Sequence, residues 1–201
     1  FAPIRLEPSD PDFTAMFHGD DERVPVAGLQ AGLRMLADAV GLGKTIQAGL
    51  LVAELLQRER GARVLIITRA GLRDRWGEEL RERSRTEAEA LDAAALARAT
   101  ARLPAGVNPW TVPRVILTSI DFVKRPDVMR ALEPLVWDLV AFDEAHGLSG
   151  RSDRATAADL LAKRGRRVVA ITATPHSRDP HAYERLRGLG SLGPDEPLLV
   201  F

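Results

Sequence analysis

The sequence predicts an α/β fold, with a mostly parallel sheet flanked by helices on both faces. Three observations predict it. The chain has 201 residues, 45% of them hydrophobic, which is enough for one well-packed domain. From about residue 33 onwards, short apolar runs alternate with amphipathic stretches of helical period. The apolar runs are continuous, as expected of strands buried on both faces, and their alternation with helices predicts right-handed parallel crossovers.

Each predicted element follows from a local pattern. Apolar runs predict five strands, over residues 33–37, 63–68, 114–119, 138–142 and 167–172. Helical periodicity predicts five helices, over residues 44–60, 72–83, 126–132, 154–164 and 181–189. Gly61 and Gly165 are suited to end the first and fourth helices. Residues 84–113 are ambiguous, with a helix over 87–101 by propensity and a proline-rich loop over 103–113. Several prolines and little periodicity predict a loop-rich lead-in over residues 1–27, before an α/β domain over 28–201.

Composition excludes several function classes. Without cysteine there are no disulfides or thiolate metal sites, and the four histidines lack the spacing of a zinc site. The 28 basic and 28 acidic residues cancel, so any contact with nucleic acid must be local. No apolar run approaches the roughly 20 residues that span a bilayer, and no signal peptide is visible. We expect a cytoplasmic protein with no membrane partner.

Residues 38–45 predict a phosphate-binding loop between the first strand and the first helix. In order they are Asp38, Ala39, Val40, Gly41, Leu42, Gly43, Lys44 and Thr45. Glycine lets the backbone approach a phosphate closely, and amides at the helix N-terminus face the anion. Lys44 would neutralise phosphate charge, and the Thr45 hydroxyl would ligate Mg²⁺. The common pattern has glycine at the position of Asp38, so an ordinary glycine-rich turn is the alternative.

Two polar groups follow later strands. Asp143 and Glu144 end an apolar run, at the edge of the sheet where α/β proteins bind ligands. Asp143 would hold Mg²⁺ and Glu144 would orient and deprotonate an attacking water, the alternative being a solvated acidic turn. Thr172 and Thr174 end the last strand, and their hydroxyls could bond the acidic pair and report the nucleotide state. The alternative is a buried strand with a polar end.

Together these three motifs resemble the superfamily-two DEAH-box helicases, and most closely the bacterial RapA-like members of the Swi/Snf-type translocases. The resemblance covers about residues 28–201 and implies a RecA-like P-loop NTPase lobe that uses ATP and Mg²⁺. It implies that His146, Thr172 and Thr174 couple hydrolysis to movement. It also implies that residues 68–76 and 118–122 lie against DNA, with contacts from Arg69, Thr118 and Ser119. Ala39 and Arg69 depart from the family, which usually has Glu and Pro there. For Trp76 and Trp137, packing against the sheet is the preferred interpretation.

The resemblance implies the first lobe of a motor that translocates on double-stranded DNA, in RNA-polymerase recycling or anti-phage defence, with the protein partners of a multi-subunit complex as a further expectation. The second RecA-like lobe, which supplies arginine fingers, is not recognisable in this sequence. Since such a finger contributes about 10³–10⁵ in rate, the lobe alone is expected to bind ATP but to hydrolyse it weakly. Two alternatives remain open: a DEAH-box RNA helicase, and a nucleotide-gated scaffold lobe that does not hydrolyse ATP.

Overall fold

The computed structural model describes residues 34–37, 44–148, 152–172 and Leu189. The predicted lead-in over residues 1–27 lies outside these ranges. So does the predicted helix over residues 181–189, apart from Leu189, which is buried. No helix in the described part of the chain is long and apolar enough to cross a membrane.

The strands form one six-stranded sheet in the order β1-β6-β5-β2-β4-β3, and every neighbouring pair is parallel. The strands are β1 (Arg34–Ala37), β2 (Val64–Thr68), β3 (Glu89–Ala90), β4 (Val115–Ser119), β5 (Leu139–Phe142) and β6 (Val168–Thr172). The five predicted strands are confirmed, each beginning one residue later than predicted. The edge strand β3 was not predicted.

Six α-helices connect the described strands. They are α1 (Lys44–Arg58), α2 (Arg73–Ser84), α3 (Ala93–Arg102), α4 (Ile120–Val123), α5 (Pro126–Leu132) and α6 (Asp153–Ala162). The predicted bounds of α5 are confirmed, and those of α1, α2 and α6 are correct to within two residues. In the ambiguous stretch, the helix begins only after Asp92, whose side chain accepts a hydrogen bond from the Ala95 amide. That N-cap satisfies an amide which the first helical turn leaves unpaired.

Both faces of the sheet are covered by helices, as predicted. Alternate residues of β2, β4, β5 and β6 belong to different apolar clusters, so that in β2 Leu65 and Ile67 face one layer while Val64 and Ile66 face the other. The first layer contains buried residues of α4, α5 and α6, and the second those of α1 and α2. Burying each large apolar side chain stabilises the fold by about 1.5–3 kcal/mol.

Trp76, Trp110 and Trp137 are among the largest fully buried side chains. The interpretation of Trp76 and Trp137 as packing residues is therefore confirmed. Trp76 lies in the layer of α1 and α2, and the other two lie on the opposite face of the sheet.

Candidate nucleotide and metal site at the carboxyl edge of the sheet

Asp143 is held at the carboxyl edge of the sheet by the neighbouring strand. Ile67 of β2 is in register with Phe142 of β5, so the next residue of each strand, Thr68 and Asp143, meet at this edge. The Asp143 amide donates to the Ile67 carbonyl at 2.8 Å. The Thr68 hydroxyl donates to Oδ2 of Asp143, also at 2.8 Å. The sheet register thus fixes both the backbone and the carboxylate of Asp143.

A second donor reaches the same carboxylate oxygen from α2. The indole Nε1–H of Trp76, a side chain only 2% exposed, donates to Asp143 Oδ2 at 2.9 Å. The other oxygen, Oδ1, accepts from the Glu144 amide at 3.0 Å. With three hydrogen bonds on two oxygens, the carboxylate has little freedom to rotate. The sequence predicts Asp143 at this edge, whereas Thr68 and Trp76 become its partners only through the fold.

Glu144 turns the chain sharply after β5. Its φ of 53° is in the left-handed region, which costs a residue with a Cβ about 1–2 kcal/mol. The Glu144 carboxylate lies 3.2 Å from Nδ1 of His146, and both side chains are about one-third exposed. The two therefore form an ion pair when His146 is protonated. The sequence predicted separate roles for these residues, and the structure brings them into contact.

The predicted phosphate loop connects β1 to α1. Residues 38–43 lie outside the described residues, and Lys44 is described only as the first residue of α1. Thr45, in the first helical turn, is half-buried. Because β1 is parallel to β6 and β6 to β5, the chain leaves β1 for the loop at the same edge of the sheet as Asp143.

Of the two predicted coupling threonines, Thr172 is described. It is the last residue of β6, it is 1% exposed, and its backbone is in register with Ala37, the last residue of β1. It therefore lies between the strand that leads into the phosphate loop and the strand that carries Asp143. Thr174 lies outside the described residues.

The available donors fit Mg²⁺ better than a metal that needs a protein cage. Within the described residues, no group of three or more His, Cys, Asp or Glu side chains is suited to hold an ion. Mg²⁺ typically takes one or two protein oxygens and completes its shell with water and substrate phosphates. The fixed Asp143 carboxylate and the Thr45 hydroxyl, both oxygen ligands, match that requirement.

An open cleft of about 380 Å³ lies beside Asp143 and Glu144. Its lining includes Arg69, which is exposed, and Ser119, which is 6% exposed. The Ser119 hydroxyl accepts a hydrogen bond from the Phe122 amide and so begins α4. The structure therefore brings these two predicted DNA contacts to the edge of the sheet that carries the acidic pair.

The predicted contact between Thr118 and DNA is wrong for the side chain. Thr118 is 0% exposed, and its hydroxyl donates to the Leu91 carbonyl at 2.8 Å. It faces inwards because it belongs to a central strand buried on both sides. The predicted DNA segment over residues 68–76 needs a similar correction at its ends, since Thr68 and Trp76 are buried and bonded to Asp143.

A charged network borders the same cleft. Arg154 of α6 makes two hydrogen bonds to the Asp121 carboxylate, at 2.8 and 2.9 Å, and Lys124 makes a third at 2.8 Å. The hydrogen bond from Lys124, followed by that from Arg154, lowers the pKa of Asp121 below its usual value. This network ties the start of α6 to α4.

Comparisons with known proteins agree with this geometry. The SNF2-related domain model matches residues 29–188. RNA polymerase-associated protein RapA of Pseudomonas aeruginosa (strain LESB58) is 34% identical over 169 residues, covering 81% of this chain and 17% of that protein. RapA of Vibrio vulnificus (strain CMCP6) is 34% identical over 165 residues, covering 78% and 16%. The chain thus spans about a sixth of the length of these relatives.

Solved structures show the same fold. The Sulfolobus solfataricus SWI2/SNF2 ATPase core in complex with dsDNA superposes with a TM-score of 0.67 and 20% identity, over 82% of this chain and 34% of that one. The Pyrococcus furiosus Hef helicase domain gives a TM-score of 0.64, also at 20% identity and with the same coverage. The fold is therefore the RecA-like fold of an SNF2 ATPase core, as predicted. On the family match and the RapA relatives, this chain belongs to the SNF2-related domain family and is a Swi/Snf-type, superfamily-two first lobe.

Proposed function

We propose that this chain is the ATP-binding and ATP-hydrolysing lobe of a motor that translocates on double-stranded DNA. The observation that carries the proposal is the Asp143–Glu144 pair. Asp143 is fixed by three hydrogen bonds, and Glu144 follows it on a left-handed turn at the carboxyl edge. A solvated acidic turn needs neither the buried donors nor the strained backbone. Membership of the SNF2-related family supports nucleotide-driven chemistry at this edge.

The residues take distinct roles in the proposed reaction. The amides of the loop over 38–45 and the Lys44 ammonium bind the phosphates of ATP. Thr45 and Asp143 hold Mg²⁺, which when bound neutralises phosphate charge. Glu144 orients the attacking water and accepts its proton. His146, which contacts Glu144, together with Thr172 and Thr174, connects the state of the site to movement of the lobe.

Contact with DNA is proposed for the exposed edge of the cleft. Arg69 and Ser119 would meet phosphates, without reading bases, and the neutral net charge confines the contact to such local positions. That a related fold was solved with dsDNA supports duplex DNA over RNA as the partner. In the full-length protein, a second RecA-like lobe would close over ATP.

The pathway is proposed from the relatives. The RapA proteins are named for association with RNA polymerase, and this supports a cytoplasmic role in RNA-polymerase recycling with a protein partner. Anti-phage defence within a multi-subunit complex is the second candidate. Co-purification of RNA polymerase with the tagged full-length protein supports the first role. Its failure, together with loss of phage resistance on deletion, supports the second.

The deciding experiment is ATP turnover by the full-length protein with and without duplex DNA. Replacing Glu144 by Gln keeps the size of the side chain and removes the base, so turnover should fall by about 10²–10⁴ while ATP still binds. Glu133→Gln, at an exposed position after α5, is the matched control and should match the wild type.

Two results would favour another function, and a third would contradict part of this proposal. Stimulation by RNA but not by duplex DNA favours the RNA helicase. ATP binding by the wild type without turnover on any nucleic acid favours the scaffold. Turnover by this chain alone at the rate of the full-length protein contradicts the need for a second lobe, which is expected to contribute about 10³-fold or more.

A further inference from the structure

The buried indole of Trp76 connects helix α2 to the carboxylate proposed to hold the metal. We propose that Trp76 is a positioning residue for Asp143, and that it makes metal-dependent nucleotide binding sensitive to the position of α2. The inference rests on the proposed function of the same site. It goes further, by assigning a role in that site to a side chain that the sequence predicts only as a packing residue.

The three hydrogen bonds to the Asp143 carboxylate leave one of its acceptor positions free. A carboxylate has about four acceptor positions, two on each oxygen. Thr68 and Trp76 occupy both positions of Oδ2, and the Glu144 amide occupies one on Oδ1. The remaining lone pair is on Oδ1. Trp76 therefore helps to decide which oxygen faces the metal or its water, as groups that bond metal ligands generally do.

The other tryptophans show that burial alone does not require this bond. The described part of the chain includes all three tryptophans, and within it the indole N–H groups of Trp110 and Trp137 have no acceptor among the protein atoms. Both are 0% exposed, against 2% for Trp76. Burial of an indole in this core thus does not by itself bring a protein acceptor to its N–H. The bond between Trp76 and Asp143 is a specific feature of the site.

Helix α2 connects the two surfaces that the proposed motor must couple. It directly follows Arg69 and the short 3-10 turn Ala70–Leu72, next to the cleft proposed for DNA. It also packs on α1, the helix that begins at Lys44. The two helices are so close that a Cβ added to Gly49 of α1 would lie 3.4 Å from the Leu80 side chain of α2. At 2.9 Å, the Trp76 bond is lost if α2 shifts by about 1 Å. A DNA phosphate that displaces the start of α2 would therefore change how Asp143 is held.

The test compares Trp76→Phe with Trp110→Phe in the full-length protein. Each substitution keeps a buried aromatic ring and removes one indole N–H, but only the first removes a bonded one. The probe is a fluorescent ADP analogue, titrated in excess Mg²⁺ and again in EDTA. We expect Trp76→Phe to weaken binding about 10-fold in Mg²⁺ and less than about twofold in EDTA. Trp110→Phe should match the wild type in both titrations.

Thr68 provides a second and nearly isosteric variant. Thr68→Val removes the other donor to Oδ2 without removing volume, and should give the same Mg²⁺-specific loss. Thr68→Ser keeps the hydroxyl and should restore binding. If Trp76→Phe fails to fold, as judged by its circular dichroism, this pair decides whether donors to Oδ2 position the carboxylate.

Coupling to α2 is tested by the ratio of ATP turnover with and without duplex DNA, measured at saturating Mg²⁺. With ATP and Mg²⁺ both saturating, stimulation of turnover by DNA should fall several-fold in Trp76→Phe and stay at the wild-type level in Trp110→Phe. An unchanged stimulation ratio overturns the coupling. Equal losses of affinity in Mg²⁺ and EDTA, or equal effects of Trp76→Phe and Trp110→Phe, overturn the positioning role. If the wild type itself shows no Mg²⁺-dependent binding of the ADP analogue, the proposed function fails as well. If the wild type shows such binding and Trp76→Phe binds equally well, only the role of Trp76 is overturned.

Discussion

Replacing Glu144 by glycine, and separately by alanine, tests the left-handed backbone after β5. Both variants lack the carboxylate and its contact with His146, so their difference reports the backbone alone. At a φ of 53°, alanine costs about 1–2 kcal/mol that glycine does not. Glycine in turn loses about 0.4–1 kcal/mol more chain entropy on folding. We therefore expect Glu144→Gly to be more stable than Glu144→Ala by about 0.5–1 kcal/mol.

Glu78 provides the matched control, because it is an exposed glutamate in the interior of α2. There glycine should be less stable than alanine by about 1 kcal/mol, since a helix interior has no use for a left-handed residue. The measurement is the free energy of unfolding of the four variants in urea. The more stable variant should be the alanine variant at position 78 and the glycine variant at position 144. If alanine is the more stable residue at both positions, the turn that presents Glu144 is not left-handed and the account of the site is wrong.

Two further predictions concern packing and charge. Gly165→Ala should lower the free energy of unfolding in urea by about 1–3 kcal/mol, because its Cβ would lie 2.9 Å from Val140 Cγ2. An unchanged free energy would contradict the close approach of Gly165 to β5. The pKa of Asp121 is lowered in the folded state by Lys124 and Arg154, so its stabilisation is present at neutral pH and is lost as the pH falls below about 4. The advantage of wild type over Asp121→Asn should therefore decrease as the pH falls from 6 to 3, as measured by the urea midpoint. The difference in free energy of unfolding between wild type and Asp121→Asn should change by no more than about 1 kcal/mol, because the Arg154–Asp121 pair is exposed. A difference that stays constant with pH would contradict the prediction.

Strand positions were predictable because buried parallel strands leave a continuous apolar run in the sequence. β3 left no such run, since its two residues are Glu89 and Ala90 and it is a strand only through pairing with Ile116 and Leu117 of β4. Tertiary pairing decides such an element, and local propensity does not. The short α4 was missed for a related reason, because it is one turn set by the Ser119 cap.

The residues of the site likewise divide into those that the sequence predicts and those that depend on how the elements pack. Asp143 and Glu144 were predictable, because polar residues that directly end an apolar run must lie at the carboxyl edge. The bond from Trp76 to Asp143 joins residues 67 positions apart and depends on how α2 lies across the sheet. The contact between Thr68 and Asp143 was more accessible from the sequence. Thr68 and Asp143 each follow an apolar run directly, so pairing of those two strands would make the residues neighbours.

The position of β1 at one edge of the sheet has a consequence for synthesis of the protein. Arg34 of β1 pairs with Val169 of β6, so the strand that leads into the phosphate loop is synthesised well before the strand with which it pairs. At about 5–20 residues per second, the roughly 130 residues between them take on the order of 10 s to translate. During that interval the central strands can already pair, whereas β1 must wait. On the ribosome, the nascent chain should therefore acquire its core before it acquires the capacity to bind nucleotide.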